Sequence, residues 1–355
     1  MTMVTSIAAP AFADAYGIAL YGTHYLDQGN ITVEVRGGQY YVNDVLDDDG
    51  PVIIKNHEDE SDTTSVSNTI TIHAEDGEAN VTLKDVDIVT NGEANKSGIT
   101  VKADKTKTAT ATVNVTLDNV TVDAREDTSS EGATGGAGMT IQGNGVVNIE
   151  LDGKNELLAG DGHAGLEKNR TESVGSLNIN DSNEDGGSLT AIGGDGSAGI
   201  GGGKGDMGSG LYILNGTVNA YGKGGGAGIG GGDGAGAHMV GLNAGVPGVN
   251  DAYEPTVTAV GSEGAAGIGG GKGGRLTDAV LSSGTLTGTM ETLEYLQAHG
   301  AQTIVFTTSQ RTSSFQISDL LALADEGDVF YLTHTEANEP TLLVVTSDHT
   351  DLLEG

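Results

Sequence analysis

Between residues 79 and 288 the chain is written in short runs in which apolar residues alternate with Thr, Asn or Asp. One series reads Val81-Thr82-Leu83, Val113-Asn114-Val115-Thr116-Leu117 and Val147-Asn148-Ile149-Glu150-Leu151. It continues as Leu177-Asn178-Ile179 and Leu211-Tyr212-Ile213-Leu214. A second series follows each of these: Val86-Asp87-Ile88-Val89, Val120-Thr121-Val122-Asp123, Glu156-Leu157-Leu158-Ala159, then Leu189-Thr190-Ala191-Ile192, Val218-Asn219-Ala220-Tyr221 and Val257-Thr258-Ala259-Val260. A period of two with one apolar face predicts β-strands. The runs are too short and too closely punctuated to leave room for crossover helices.

The punctuation itself repeats. Ala-Gly-Ile-Gly-Gly-Gly occurs at Ala198–Gly203, Ala227–Gly232 and Ala266–Gly271, after weaker forms at Ser97-Gly98-Ile99, Ala137-Gly138-Met139 and Ala164-Gly165-Leu166. Six copies spaced by 27 to 40 residues mark an internal repeat. One unit reads strand, short turn, strand, glycine turn, a third short strand at Gly-Ile, then a variable loop. Three short strands per turn must each stack on the equivalent strand of the next turn, about 4.8 Å away. The fold class predicted is all-β: a right-handed parallel β-helix (solenoid) of about seven coils, on the order of 34 Å long. Glycine suits its corners because it takes positive φ without a steric penalty, and the motif's Ile is expected to point inward. A phosphate-cradling loop is the competing reading, but no Lys-Ser pair and no helix pattern follow the glycines.

Outside the repeat the pattern changes. Residues 1–13 carry Ala11-Phe12-Ala13 before Asp14, the end of a signal peptide whose charged and apolar regions are missing. Residues 14–78 contain strand-like Ile31-Thr32-Val33-Glu34-Val35, Val52-Ile53-Ile54 and Ile70-Thr71-Ile72, an N-terminal cap with irregular first coils. Residues 289–355 read as a small α+β capping module. Met290, Leu293 and Leu296 predict a helix ending at His299-Gly300, Thr303–Phe306 a strand, and Ile317–Ala324 a second helix. Val329–Leu332 and Thr341–Val345 read as a hairpin around Asn338-Glu339-Pro340.

Composition adds three exclusions. The net charge of −34, from 50 acidic and 16 basic residues, argues against nucleic acid and anionic lipid as partners. It leaves a solvated, self-repelling coat or a surface that loads cations, Ca²⁺ first. With no cysteine there are no disulfides or thiolate sites, and no run of 18 apolar residues exists to cross a membrane. The Ala11-Phe12-Ala13 match, with which the composition agrees, leads to the expectation that the protein is secreted or at the cell surface.

Candidate chemistry is sparse. Asp181-Ser182-Asn183-Glu184-Asp185-Gly186 matches the opening of a calcium loop, with Asp181, Asn183 and Asp185 as candidate metal ligands and an acidic turn as the alternative. Its twelfth position is Ile192 rather than Glu, so it is not an EF-hand. Asp161-Gly162-His163 is the nearest approach to a catalytic fragment. Thr106, Thr108, Thr110 and Thr112 would form a row on one strand face. Sugar platforms are limited, with Trp 0 and Phe 4, although Tyr212 alternates with Leu211 and Ile213 and so faces outward.

The unit Val-Thr-Ala-x-Gly followed by Ala-Gly-Ile-Gly-Gly-Gly, from about residue 80 to 285, resembles glycine-rich repeats in secreted and surface proteins of Gram-positive bacteria, often called carbohydrate-binding domain-containing proteins. The resemblance implies a pectate-lyase-like right-handed β-helix and carries no catalytic residues. The first expectation is a non-enzymatic adhesin or structural rod that binds a polysaccharide or a host surface protein. A polysaccharide lyase or hydrolase is the second, and a filament subunit associating through its solenoid ends the third.

Overall fold

The computed structural model describes residues 22–48, 50–59, 61–106, 109–125, 134–183, 185–242, 255–274, 276–281, 284–289, 293–294, 297, 303–307, 312–322, 329–334 and 341–345. The expected cleavage site at Ala11–Ala13, the helix positions Met290, Leu296 and His299, and the turn at Asn338–Pro340 lie outside these residues.

Nearly all of what is described is β-structure, arranged as sheets of 16, 10 and 2 strands. The two large sheets are curled and mostly parallel. Among the described residues, helix is confined to Leu26–Gln28, Ile317–Leu321 and the isolated positions Leu293, Glu294 and Gln297.

The smaller large sheet is built on one inward column. Ile31, Ile70, Ile99, Met139, Leu166, Ile200, Ile229 and Ile268 pair in register from strand to parallel strand, and all eight side chains are buried. Successive members are 27 to 40 residues apart, the spacing of the sequence repeat. The last three are the Ile of Ala-Gly-Ile-Gly-Gly-Gly. Burying a side chain of this size stabilises by about 1.5–3 kcal/mol, and the column repeats that gain at each of its strands.

The larger sheet repeats the device twice. Val81, Val115, Ile149, Ile179 and Ile213 form one inward column, and Val86, Val120, Asn155, Leu189, Val218 and Val257 another. Strands Glu78–Val89 and Thr112–Ala124 contribute to both columns by bending at Asp85 and Asn119, which take φ of 52° and 58°. Asn and Asp tolerate this left-handed region because their short polar side chains bond locally. Asn155 is the polar member of its column and is fully buried. Its Oδ1 accepts the Val120 N–H at 2.8 Å, and its Nδ2 donates to the carbonyls of Leu117, Asp152 and Ser188 at 3.0–3.1 Å. The amide thus satisfies backbone groups that the corner between columns would leave bare.

Glycine is required where backbones approach. A Cβ on Gly230, at φ +140°, would stand 1.8 Å from the Gly269 carbonyl oxygen of the next strand. Outward positions instead carry polar ladders. Asn114, Asn148 and Asn178 each donate Nδ2 to the Oδ1 of the Asn one strand earlier, beginning at Asn80, at 2.7–2.8 Å.

At the N-terminal end Ile31–Arg36 turns back antiparallel onto Gln39–Val42, which pairs with Val45–Asp47. Gly22–Tyr25 pairs with Val52–Lys55 and edges the larger sheet. Towards the C-terminus Gly284–Thr289 pairs antiparallel with Val329–His334, and that strand with Thr341–Val345, so the larger sheet continues past residue 289. Thr303–Thr307 and Thr312–Gln316 make a separate hairpin, the second strand of which was not anticipated.

One expectation fails. Thr106, Thr110 and Thr112 do not share a strand face: Lys105 and Thr110 form an isolated antiparallel bridge, and Thr106 closes a turn onto Ala109. The strand begins only at Thr112, and Thr108 lies outside the described residues. The interleaved residues are Lys107, Ala109 and Ala111, too little apolar surface to hold a strand against the core.

Candidate functional site

Three groups of ionisable side chains stand apart from the apolar columns. The first lies at the corner between the two halves of the larger sheet, where residues 181–183 and 185–187 stand in place of the tight turns made by Asp85, Asn119 and Gly153. Asp181 stands one residue beyond the Asn180 partner of Glu150, level with Leu151, and so extends the inward column Leu83, Leu117, Leu151. It is buried; its Oδ2 accepts the Gly187 N–H at 3.1 Å, and its Oδ1 has no hydrogen-bond partner.

Asn183 and Asp185 are exposed. The Asn183 amide donates to Asp152 Oδ1 at 3.0 Å, and its carbonyl accepts the Asp185 N–H at 3.3 Å. The three predicted ligands are therefore neighbours along the loop, but Asp181 turns inward while the other two face out. Beneath them Ser182 donates its hydroxyl to Glu150 Oε1 at 2.8 Å. Burial raises the pKa of Glu150 from its ordinary value, against the hydrogen bonds from Ser182 and Asn183. Burial also raises that of Asp152, with repulsion from Asp185, Asp118 and Asp181 adding to it. Lys84 pairs with Asp118 at the foot of the corner. Among the described residues no three carboxylates or imidazoles converge at metal-binding distance.

The second group is centred on His163. Its Nδ1 lies 3.1 Å from Glu167 Oε2 and its Nε2 3.0 Å from Asn95 Oδ1. Glu167 also accepts the Ala164 N–H and the Asn169 amide at 3.0 and 3.1 Å. The Glu167 hydrogen bond raises the His163 pKa, against an opposing effect of burial, with the charges of Glu167 and Glu172 adding to the rise. A ring that faces an acceptor on each nitrogen favours the doubly protonated form. It ties Asn95, 68 residues earlier in the chain, to Glu167 on the strand Leu166–Glu167, and in this arrangement His163 acts as a clasp.

The third is Lys168. It is fully buried, and its Nζ donates to the carbonyls of Ser209 at 2.7 Å and Ser173 at 3.2 Å. Burial lowers its pKa to about 8.

Glu150, Glu167 and Lys168 were not singled out from the sequence. The signal for Glu167 was present in the register: it occupies the outward position held by Thr32, Thr71, Thr100 and Thr140 on preceding strands. A lone charge in a column of threonines marks a specific partner. Lys168 follows it directly, and nothing in the pattern indicates that a lysine there turns inward. Compared with family models, curated proteins and solved structures, the chain shows no match.

Proposed function

We propose that the chain is a parallel β-solenoid of a secreted or cell-surface protein, a rigid rod that presents its outer faces to a glycan or a protein without turning it over. The in-register column Ile31 to Ile268 carries this reading. Eight parallel strands, each 27 to 40 residues after the last, are what a chain wound into stacked turns produces. Outward positions then recur at about 4.8 Å, which suits an extended surface better than a closed pocket. An enzymatic alternative would have to draw its acid pair from the corner carboxylates Glu150 and Asp152, because both His163 nitrogens are engaged. The test is to incubate the purified protein with a panel of polysaccharides and bacterial or host cell surfaces. Binding without release of reducing or unsaturated ends is expected; catalytic release of either would favour the enzyme.

Calcium belongs to the same reading through one observation, the buried and unpartnered Asp181 Oδ1. A bound ion would draw Asp152 and Asp185 in towards it and relieve the repulsion between them. Calcium at 2 mM is then expected to raise Tm, magnesium to do so less, and Asp181→Asn to abolish the difference. Equal effects of the two ions would leave the acids as a solvated coat.

A further inference from the structure

The outward faces of this protein are not alike. On the first half of the larger sheet the ladder amides of Asn80, Asn114, Asn148 and Asn178 bond to one another. On the smaller sheet the outward column beside the threonines is charged, with His73 and Lys102 both paired to Asp104, and its later strands present Gly201, Gly230 and Gly269 in place of a side chain. The second half of the larger sheet runs from Glu78–Val89 and Thr112–Ala124 through Lys154–Ala159, whose outward Glu156 pairs with Thr190. It continues to strands Ser188–Ile192, Thr217–Tyr221 and Thr256–Val260, which pair in parallel and in register.

Two properties together mark these last three strands. In a chain of net charge −34 these three strands carry no acidic or basic residue. Their inward positions are the buried Leu189, Ala191, Val218, Ala220, Val257 and Ala259, so the alternate residues face out. Those form a polar column of Thr190, Asn219 and Thr258 beside an apolar column of Ile192, Tyr221 and Val260. The side chains of Thr190, Asn219 and Thr258 make no hydrogen bond within the described residues, in contrast to the asparagines on the neighbouring face. Uncommitted donors and acceptors next to an aliphatic and aromatic stripe, repeating at about 4.8 Å, are complementary to a ribbon with hydroxyl edges and a C–H face.

We infer that this face binds a neutral polysaccharide laid across the three strands, its C–H faces on Ile192, Tyr221 and Val260 and its hydroxyls on Thr190, Asn219 and Thr258. The inference rests on the reading of the chain as a glycan-presenting rod and names the surface and the polymer class. Charge selects the class. An anionic polymer meets no counter-charge on these strands and is repelled by the rest of the molecule, and a basic protein would be drawn to the acidic faces instead. Hydroxyl and amide groups that are already desolvated on one side, beside a tyrosine ring, bind sugar with little ordering cost.

The experiment is affinity electrophoresis of the full chain in gels containing soluble β-glucan, arabinoxylan or galactomannan, with polygalacturonate as the anionic comparison. At least one neutral polymer is expected to retard the protein, and polygalacturonate is not. Asn219→Ala combined with Tyr221→Ala should weaken retardation at least tenfold, and Thr190→Arg, which places a bulky charge on the face, should do the same. Thr100→Ala on the other sheet should leave it unchanged, and circular dichroism should show all variants folded. Retardation that survives both face variants would overturn the assignment while leaving a glycan-binding rod intact. Binding to polygalacturonate alone, or to none of the polymers, would overturn the assignment and, in the second case, glycan presentation with it. Sedimentation as a dimer that Thr190→Arg dissolves would replace the polysaccharide with a second copy of the chain.

Discussion

Lys168 is wholly inside the protein, with two carbonyl partners for three N–H bonds. An unfolded lysine keeps its proton up to about pH 10.4, whereas this one, folded, gives it up near 8. Between those values the unfolded chain binds more protons, so stability contributed by this site rises with pH. Lys168→Met removes the titration, and the stability of the wild type relative to Lys168→Met is expected to rise between pH 8 and 10 by on the order of 3 kcal/mol. Denaturant melts of both proteins across that range test this, and a constant difference would contradict it. His163 has the opposite sign. Its pKa is raised in the folded state, so the clasp is at full strength below about pH 6.5 and is lost as pH rises through the folded value. His163→Ala is expected to cost about 1–2 kcal/mol at pH 5.5 and distinctly less at pH 9. Equal losses at both pH values would mean that the ring acts by packing alone.

At the scale of the strand, the fold depends on how closely neighbouring backbones can approach. Gly29 and Gly230 adopt nearly the same φ, 141° and 140°, but a Cβ on Gly29 meets nothing while one on Gly230 strikes the next strand. Gly29→Ala therefore isolates backbone strain, about 1–3 kcal/mol. Gly230→Ala adds a collision with backbone that cannot move aside, and is expected to lower Tm much further or to prevent folding. Similar melting temperatures for the two variants would show that the stacked glycines are not in tight register. These strands were legible in the sequence because a period of two and a repeated Gly-Ile survive in most units. The first two members of the inward column, Ile31 and Ile70, were not counted among the repeats, since Asn30 and Thr69 stand where the later copies have glycine. The long strands Glu78–Val89 and Thr112–Ala124 were read as pairs of shorter ones, because Asp85 and Asn119 at positive φ turn the chain without ending its pairing. The buried Asn155 was invisible as a corner amide, since one-dimensional alternation places it at an inward position without saying what it satisfies.

For the molecule as a whole, the ends and the faces differ in what they expose. Val45 and Leu46, on the strand that terminates the smaller sheet, are 69% and 43% exposed, beside a cavity of about 310 Å³ lined by Gly22, His24 and Asp47. Association through this end is expected to appear in sedimentation as a concentration-dependent species that Val45→Lys with Leu46→Lys removes; a species indifferent to both substitutions would place the contact elsewhere. The candidate loop at Asp181–Asp185 was legible as a pattern, but its geometry was not. Alternation along a loop does not fix which oxygens turn inward, and here the preceding leucine column draws Asp181 into the interior. The central claim is that equivalent residues of successive units lie side by side, and disulfide trapping tests it most directly because the chain has no cysteine of its own. In-register Cα atoms about 4.8 Å apart fall within disulfide range. Thr190→Cys with Asn219→Cys should cross-link on mild oxidation, as should Thr71→Cys with Thr100→Cys, whereas Thr190→Cys with Ala220→Cys should not. Cross-linking of the shifted pair, or of neither matched pair, would contradict the stacked arrangement.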